Sequence, residues 1–116
     1  MDAKTVSLLI STYNWEDALR LCLLSASVQT VLPDEIVIAD DGSREDTRKL
    51  IEDFRAIVKV PVVHIWQEDE GFRLTTIRNK AIACAKGDYI IQIDGDVIME
   101  RHFIQDHICL LYTSPS

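Results

Sequence analysis

The chain has 116 residues, of which 47% are hydrophobic and 27% charged, a composition typical of one globular domain and not of a disordered segment. Twelve basic and nineteen acidic side chains give a net charge of −7. This balance argues against nucleic acid or an anionic membrane as a partner, since both attract an excess of Lys and Arg. No apolar stretch approaches the roughly 20 residues that cross a bilayer, and we expect no signal peptide.

Three cysteines, Cys22, Cys84 and Cys109, each lie in an apolar stretch of the sequence. Their wide spacing and odd number favour buried thiols over a disulfide framework or a metal site. Thiols persist in a reducing compartment. We therefore expect a cytoplasmic protein, with a peripheral position at the inner face of the membrane as the alternative.

The first half of the chain alternates short apolar runs with helical patterns. Residues 6–10 predict a strand and residues 36–39 a second one. The helix predicted between them covers residues 16–28, with acids in its first turn, where the macrodipole favours them. A second helix is predicted to follow Ser43 as its N-cap. The buried faces of these two helices are predicted to carry Ala18, Leu21, Cys22 and Ser25, then Leu50, Ile51, Phe54 and Ile57.

The second half of the chain continues the alternation. Residues 60–66 predict a third strand with Pro61 confined to its start, and residues 89–93 predict a fourth. Gly87 is expected to end the intervening helix as its C-cap, and residues 103–110 predict a further helix. The buried stripe of the intervening helix is predicted to be Leu74, Ile77, Ala81 and Cys84.

Strands that are apolar on both faces and alternate with helices predict an α/β fold, a mainly parallel, Rossmann-like sheet with helices on both faces. In such a sheet, ligands bind outside the carboxyl ends of the strands. Four polar clusters fall at the predicted ends, residues 11–14, 40–43, 67–71 and 94–96. The chain has neither a glycine-rich dinucleotide fingerprint nor a P-loop. Any bound phosphate would therefore need another group to neutralise it.

Two of these clusters are ambiguous when each is taken alone. Asp94-Gly95-Asp96 is either a turn or a site for Mg²⁺ or Mn²⁺, since hard cations take carboxylate oxygens. In the second interpretation, Gly95 leaves room for a bulky ligand. Residues 40–43 either make a turn and a helix cap, or supply a carboxylate that accepts hydrogen bonds from a base or a ribose.

Single aromatic and basic residues near the clusters carry the same ambiguity. Tyr13 is either a rim aromatic or a residue that stacks on a base. Arg78 is either a solvated helix arginine or a partner for phosphate or for the carboxylates of the site. The spacing of His64, His102 and His107 indicates neither a catalytic dyad nor a zinc site, and structural or surface roles are favoured for them.

Taken in order, the motifs resemble those of the family 2 glycosyltransferases with the GT-A fold. The resemblance rests on residues 6–14, 36–43, 78–82 and 94–96 and covers residues 5–109. Residues 70–79 are also similar to chondroitin-polymerase-type and galactosyltransferase-like members. The resemblance implies inverting transfer of a sugar from a nucleotide-sugar donor, usually a UDP-sugar, to an acceptor hydroxyl that a carboxylate deprotonates.

The family motifs also imply roles for individual residues. By position, Ser11, Thr12 and Tyr13 would line the pocket for the base and the ribose. Asp41 would hydrogen-bond the uracil ring.

Three further positions would serve the diphosphate. Asp94 would lie near the ribose and the diphosphate, and Asp96 would coordinate Mn²⁺ or Mg²⁺ on the diphosphate oxygens. Arg78 would face the nucleotide site. The metal would stabilise the charge that develops on the leaving diphosphate.

A complete domain of this family is considerably longer than this chain. We therefore expect residues 1–110 to be the nucleotide-sugar-binding part of a truncated domain, and residues 111–116 to be a tail outside the family pattern. The catalytic base is expected beyond the C-terminus, which would leave the isolated fragment inactive. The acceptor is expected to be a glycan or a lipid-linked molecule, and an uncovered sheet edge would favour self-association.

Two other classes of protein place polar groups at strand ends. A non-catalytic nucleotide-binding or interaction module of the same fold remains open as an alternative. A signalling receiver domain also binds Mg²⁺ at such carboxylates, but it needs a Lys at a later strand end. No Lys follows Asp96, which disfavours this class.

Overall fold

The structure is a computed structural model that describes residues 5–13, 16–67 and 74–113. Strands and helices alternate along the chain, as the sequence predicts. The elements are β1 (Val6–Thr12), α1 (Glu16–Ser27), β2 (Glu35–Asp41), α2 (Glu45–Ile57), β3 (Val62–Gln67), α3 (Leu74–Cys84), β4 (Tyr89–Asp94) and α4 (Phe103–Thr113).

The four strands form one sheet in the order β3-β2-β1-β4. Every neighbouring pair is parallel, which confirms the predicted sheet type. β1 lies between β2 and β4, so the strand order reverses beside the first strand. The gap at such a reversal is where ligands enter this class of sheet.

Helices cover both faces of the sheet, as predicted. Successive residues of a strand point to opposite faces, and β1 shows this directly: Leu8 and Ile10 join one buried cluster, whereas Leu9 joins the other. The larger cluster contains residues of α1, α2 and α4, and the smaller one contains Ile77 and Ala81 of α3. We call these two sides the α2 face and the α3 face.

The prediction that all strands are apolar and buried on both faces holds only for the middle of the sheet. β1 and β2 are buried at every position. β3 and β4 carry exposed and half-buried residues because each lies at an edge of the sheet. Trp66 on β3, which is 52% exposed, is an example.

Three residues predicted to lie on buried helix faces are exposed, namely Leu21, Ile57 and Cys84. Leu21 is 50% exposed and Ile57 is 67% exposed. The contact of α1 with the sheet centres instead on Leu19, Leu23 and neighbouring small residues, and Ile57 is the last residue of α2. Within the described residues, no helix is both long and apolar enough to cross a membrane.

The predicted N-cap of α2 is wrong by one residue. The N-cap is Arg44, and its side chain makes no capping hydrogen bond. Ser43 serves the preceding turn instead, because its N–H donates to Asp40 Oδ1 at 2.9 Å. Gly42 has a φ of 82°, a left-handed conformation that glycine adopts without strain, and it lets the chain turn from β2 towards α2.

Gly87 is not the C-cap that the sequence predicts, since α3 ends at Cys84 and Gly87 does not have a positive φ. A glycine is needed at this position because the chain passes close to β1 here. A Cβ on Gly87 would lie 2.6 Å from the Ser7 backbone nitrogen. Its N–H donates to Ser7 Oγ at 2.8 Å. The glycine thus allows β4 to approach β1 closely at the amino end of the sheet.

Only one of the three cysteines is a buried thiol. Cys22 is buried in the core, whereas Cys84 and Cys109 are exposed, and none of the three forms a disulfide in the described structure. Apolar neighbours in sequence misled the prediction, because each helix has an outer face that local composition does not reveal.

Candidate functional site

The carboxyl ends of the four strands lie at one edge of the sheet, as parallel pairing requires. The polar clusters after the strands are therefore neighbours in space, as the sequence predicts for the residues described. Asn14 and residues 68–71 lie outside the described residues. The residues paired in register at this edge are Ser11 with Asp94, Thr12 with Asp40, and Asp41 with Gln67.

Arg78 connects the ends of β1 and β4. Its Nε donates to Ser11 Oγ at 2.9 Å, and a terminal nitrogen donates to Asp94 Oδ1 at 2.7 Å. Arg78 can reach both because it follows Ile77, which anchors α3 against the sheet. The Asp94 side chain remains 63% exposed. Arg78 therefore fixes the orientation of the exposed Asp94 carboxylate. This agrees with the interpretation of Arg78 as a partner for the carboxylates of the site.

Asp41 lies at the end of β2 on the α3 face and is completely buried. Its Oδ1 accepts a hydrogen bond from Gln67 Nε2 at 2.7 Å. Gln67 Oε1 in turn accepts one from Lys80 Nζ at 3.4 Å. No role for Gln67 or Lys80 is predicted from the sequence, although the register of β2 and β3 places Gln67 beside Asp41.

Asp40 points to the α2 face and holds two neighbours. Its Oδ1 accepts the Ser43 N–H, and its Oδ2 lies 2.7 Å from His64 Nε2. Asp40 is 1% exposed, so this pair is largely shielded from water. The contact with Asp40 agrees with the structural or surface role that the sequence favours for His64. The sequence did not predict Asp40 as its partner.

Thr12 and Tyr13 lie at the end of β1, next to the Ser11–Arg78 contact. Thr12 is buried and Tyr13 is half-buried. Both therefore reach the same edge as Asp41 and Asp94, where a base or ribose pocket was predicted. Their proposed contacts with a nucleotide stay predictions.

Gly95 does not leave room for a ligand, contrary to the prediction. Its N–H donates to the Ser11 carbonyl at 2.7 Å. A Cβ on Gly95 would lie 2.9 Å from the Ser11 oxygen and 3.2 Å from Thr12 Cβ. The space beside the glycine is thus occupied by the end of β1, and Gly95 holds the turn between Asp94 and Asp96 against that strand.

Asp96 lies within this turn and is exposed. Burial raises the pKa of the Cys22 thiol to about 12, and the negative charge of Asp96 adds to this effect. The described residues contain no group of three or more His, Cys, Asp or Glu that could hold a metal ion by themselves. Mg²⁺ commonly uses one or two carboxylates and takes its other ligands from water and phosphate. Asp94 and Asp96 both present exposed carboxylate oxygens at this edge of the sheet.

The sequence model of the family described as "Glycosyl transferase family 2" matches residues 7–115. The chain belongs to this family. The match agrees with the parallel sheet and with the polar carboxyl edge. It also confirms the family named from the sequence motifs.

Relatives of this family 2 chain are much longer than it is. EpsH of Bacillus subtilis (strain 168), described as a putative glycosyltransferase, is 36% identical over 106 residues, which cover 90% of this chain and 30% of EpsH. Chondroitin synthase of Escherichia coli is 30% identical over 107 residues, which cover 91% of this chain and 15% of the synthase. This family 2 chain thus spans less than a third of either relative.

Solved structures share the fold of this family 2 chain. A mannosyltransferase from Pyrobaculum calidifontis in complex with GDP-Man and Mn²⁺ superposes with a TM-score of 0.83 at 18% identity, over 98% of this chain and 34% of the other. Glucosyl-3-phosphoglycerate synthase from Mycobacterium tuberculosis, in complex with Mn²⁺, UDP and glucosyl-3-phosphoglycerate, gives a TM-score of 0.71 at 21% identity, over 95% of this chain and 40% of the other. At these identities the likeness shows the fold, which is of the GT-A type.

Proposed function

We propose that this chain is the donor-binding part of a glycosyltransferase that uses a nucleotide-diphospho-sugar, and that the donor is a UDP-sugar. The observation that carries the proposal is the Arg78 bridge. It joins Ser11 of β1 to Asp94 of β4 at the point where the strand order reverses. Ligands of parallel sheets bind at that reversal.

The charges at this edge suit a nucleotide that carries its phosphates with a cation. Asp41 is a hydrogen-bond acceptor held in place by Gln67, which suits recognition of an N–H on a base. Ser11, Thr12 and Tyr13 would line the base and ribose pocket beside it. Asp94 would lie near the ribose and the diphosphate. We assign Arg78 the role of orienting Asp94 and Ser11, since its described hydrogen bonds go to these two residues.

A divalent cation is part of the proposal. Asp96 would coordinate Mn²⁺ or Mg²⁺, and the donor's diphosphate would supply further oxygens. Such an ion stabilises the negative charge that develops on the diphosphate when the sugar leaves. The similarity in fold to structures that hold Mn²⁺ together with UDP or GDP-Man supports this assignment.

The proposed reaction is transfer with inversion to the hydroxyl of a glycan or lipid-linked acceptor. It needs a carboxylate that takes the acceptor proton, and we assign this role to no residue of this chain. We propose that residues 1–110 form the nucleotide-sugar-binding part of the domain, in a cytoplasmic protein that is soluble or peripheral to the membrane. The relatives' greater length is consistent with a base located elsewhere in a longer protein.

Isothermal titration of the chain with UDP, with and without Mn²⁺, tests the proposal. We expect Asp96→Ala to weaken UDP binding at least about tenfold in the presence of Mn²⁺, equivalent to about 1.4 kcal/mol. Without metal, the variant and the parent chain should bind UDP equally weakly, because the carboxylate acts through the cation.

Asp106→Ala is the matched control, since it removes an exposed carboxylate of α4 and changes the net charge equally. It should leave the Mn²⁺-dependent affinity unchanged. Titration with GDP under the same conditions tests the choice of base. An affinity for UDP that does not depend on Mn²⁺, or that Asp96→Ala leaves intact, would refute the metal assignment.

A further inference from the structure

A cavity opens at the carboxyl end of β3, on the α2 face of the sheet. It has a volume of about 440 Å³ and is lined by Ser43, Arg44, Glu45, Arg48, His64 and Trp66. The residues proposed to bind the nucleotide do not line it. Asp40 and Asp41 are consecutive in β2 and point to opposite faces of the sheet, so this cavity and the donor site lie on opposite sides of the same strand end.

The most unusual residue of the cavity is Trp66. It lies on the edge strand β3 and is 52% exposed. An exposed indole ring offers a flat apolar surface on which a ligand can stack. Its indole N–H donates to the Ser43 carbonyl at 3.1 Å. This bond satisfies the polar end of the ring and restrains its plane, while much of the ring surface stays exposed.

Asp40 holds two of the residues that line the cavity, Ser43 and His64. One of its oxygens accepts the Ser43 N–H, and the other contacts His64 at 2.7 Å. Ser43 in turn holds the Trp66 indole through its carbonyl. A buried carboxylate thus fixes both the loop and the histidine around the aromatic ring. Such preorganisation lowers the entropy that a ligand must lose on binding.

The rim of the cavity carries charges of both signs. Arg48 and Glu45 form an exposed ion pair at 2.5 Å, and Arg44 lines the same opening. Exposed pairs of this kind contribute little to stability, so their hydrogen-bonding groups can turn to a ligand at little cost. A mixed rim of donors and acceptors suits a neutral ligand with many hydroxyls better than it suits an anion.

We propose that this cavity is a saccharide subsite, in which the C–H face of a pyranose ring stacks on Trp66. The hydroxyls of the sugar would bond to Arg44, Glu45 and Arg48. The choice of a sugar rests on the proposed function, because a glycosyltransferase handles a saccharide acceptor near its donor site. The cavity is separate from the donor pocket, so it would hold a more distant unit of the acceptor chain.

Titration of the full chain with two oligosaccharides tests the subsite, with no nucleotide or metal present. Maltohexaose is the neutral probe, and a chondroitin hexasaccharide is the anionic probe. The readouts are the Kd and the indole N–H resonance of Trp66 in NMR spectra. We expect maltohexaose to shift that resonance at millimolar concentration. Trp66→Ala should weaken binding at least about tenfold, whereas Trp66→Tyr, which keeps an aromatic face, should retain most of it.

Tyr89→Ala is the matched control, because Tyr89 is an exposed aromatic residue on the opposite edge strand, β4. It should leave the oligosaccharide affinity unchanged. The proposal is wrong if neither probe shifts the Trp66 resonance, or if Tyr89→Ala weakens binding as much as Trp66→Ala does. Binding of the anionic probe alone, with no effect of Trp66→Ala, would also overturn it.

The affinity of Trp66→Ala for UDP with Mn²⁺ separates the two proposals. It should equal that of the parent chain, since Trp66 does not contact the donor site. If Asp96→Ala loses UDP binding but still binds the oligosaccharide, both the donor site and the saccharide subsite are supported. Absence of UDP binding by the parent chain, with a normal oligosaccharide response, would refute the donor proposal and leave the subsite standing.

Discussion

Cys22 differs from the other two cysteines in its environment. It is buried in the contact of α1 with the sheet, whereas Cys84 and Cys109 lie on outer helix faces. Burial raises the pKa of the Cys22 thiol to about 12, and the thiolate is the reactive form. We expect iodoacetamide at about pH 8 to modify Cys84 and Cys109 in the folded protein and to leave Cys22 intact. Mass spectrometry of the peptides checks this, with modification in urea as the control.

The same pKa shift predicts a loss of stability at high pH. The folded state keeps its proton to a higher pH than the unfolded state, whose thiol has a pKa near the ordinary value of 9.0. The stabilisation is therefore complete below that pH and is lost as the pH rises towards about 12. Urea unfolding of Cys22→Ala should show a weaker decline over this window. An equal decline in both proteins would contradict the assignment.

The pairing of strands explains which features the sequence could predict and which it could not. The apolar runs and the polar clusters after them gave the parallel sheet and its carboxyl edge, because both depend on local patterns. The Arg78 bridge and the Asp41–Gln67 pair depend on register. The prediction of the buried helix faces was wrong at Leu21, because the exposure of this residue depends on how α1 is rotated against the sheet.

The glycines show the same limit at the level of elements. From the sequence, Gly87 is predicted to cap a helix and Gly95 to leave room for a ligand. In the structure, both glycines lie close to β1. Their contacts join residues about 80 positions apart in the chain. Local sequence contains no signal of such a contact. Only the pairing of β4 with β1 requires small residues at both ends of the strand.

Gly87→Ala tests the close approach of β4 to β1. The new Cβ would lie 2.6 Å from the Ser7 nitrogen and 2.5 Å from its Oγ, so the strands must move apart. We expect a loss of about 1–3 kcal/mol in the free energy of unfolding, as for overpacked cores, measured by urea denaturation. Lys86→Ala is the control, because Lys86 contributes its backbone N–H to Glu35 and its side chain is exposed. Equal stability of Gly87→Ala and the parent chain would contradict the close approach.

Distinct surfaces of the whole molecule carry distinct chemistry. The amino edge of the sheet holds a structural network in which Glu35 accepts hydrogen bonds from Ser7 Oγ and the Lys86 N–H. The carboxyl edge carries the proposed donor site on one side of β2 and the Trp66 cavity on the other. The division follows from the parallel sheet, because all strands present the same end to each edge.

The outer face of α1 is the third such surface. Leu21 and Leu24 are exposed there at a spacing of three residues, which aligns them along one side of the helix. Val28, in the turn that directly follows α1, is also exposed. Exposed apolar stripes favour association. We expect the chain to self-associate in sedimentation velocity runs as its concentration rises, and we expect the double variant Leu21→Ser and Leu24→Ser to remain monomeric at the same concentrations.

Ile57→Ser is the control for this prediction, because Ile57 is an exposed apolar residue at the end of α2 and away from the stripe. It should leave the association unchanged, which separates an effect of the stripe from a general gain in solubility. The removed side chains are half exposed, so the stability of the double variant in urea should stay close to that of the parent. If Ile57→Ser reduces association as strongly, or if the double variant still associates, the stripe on α1 is not the contact surface.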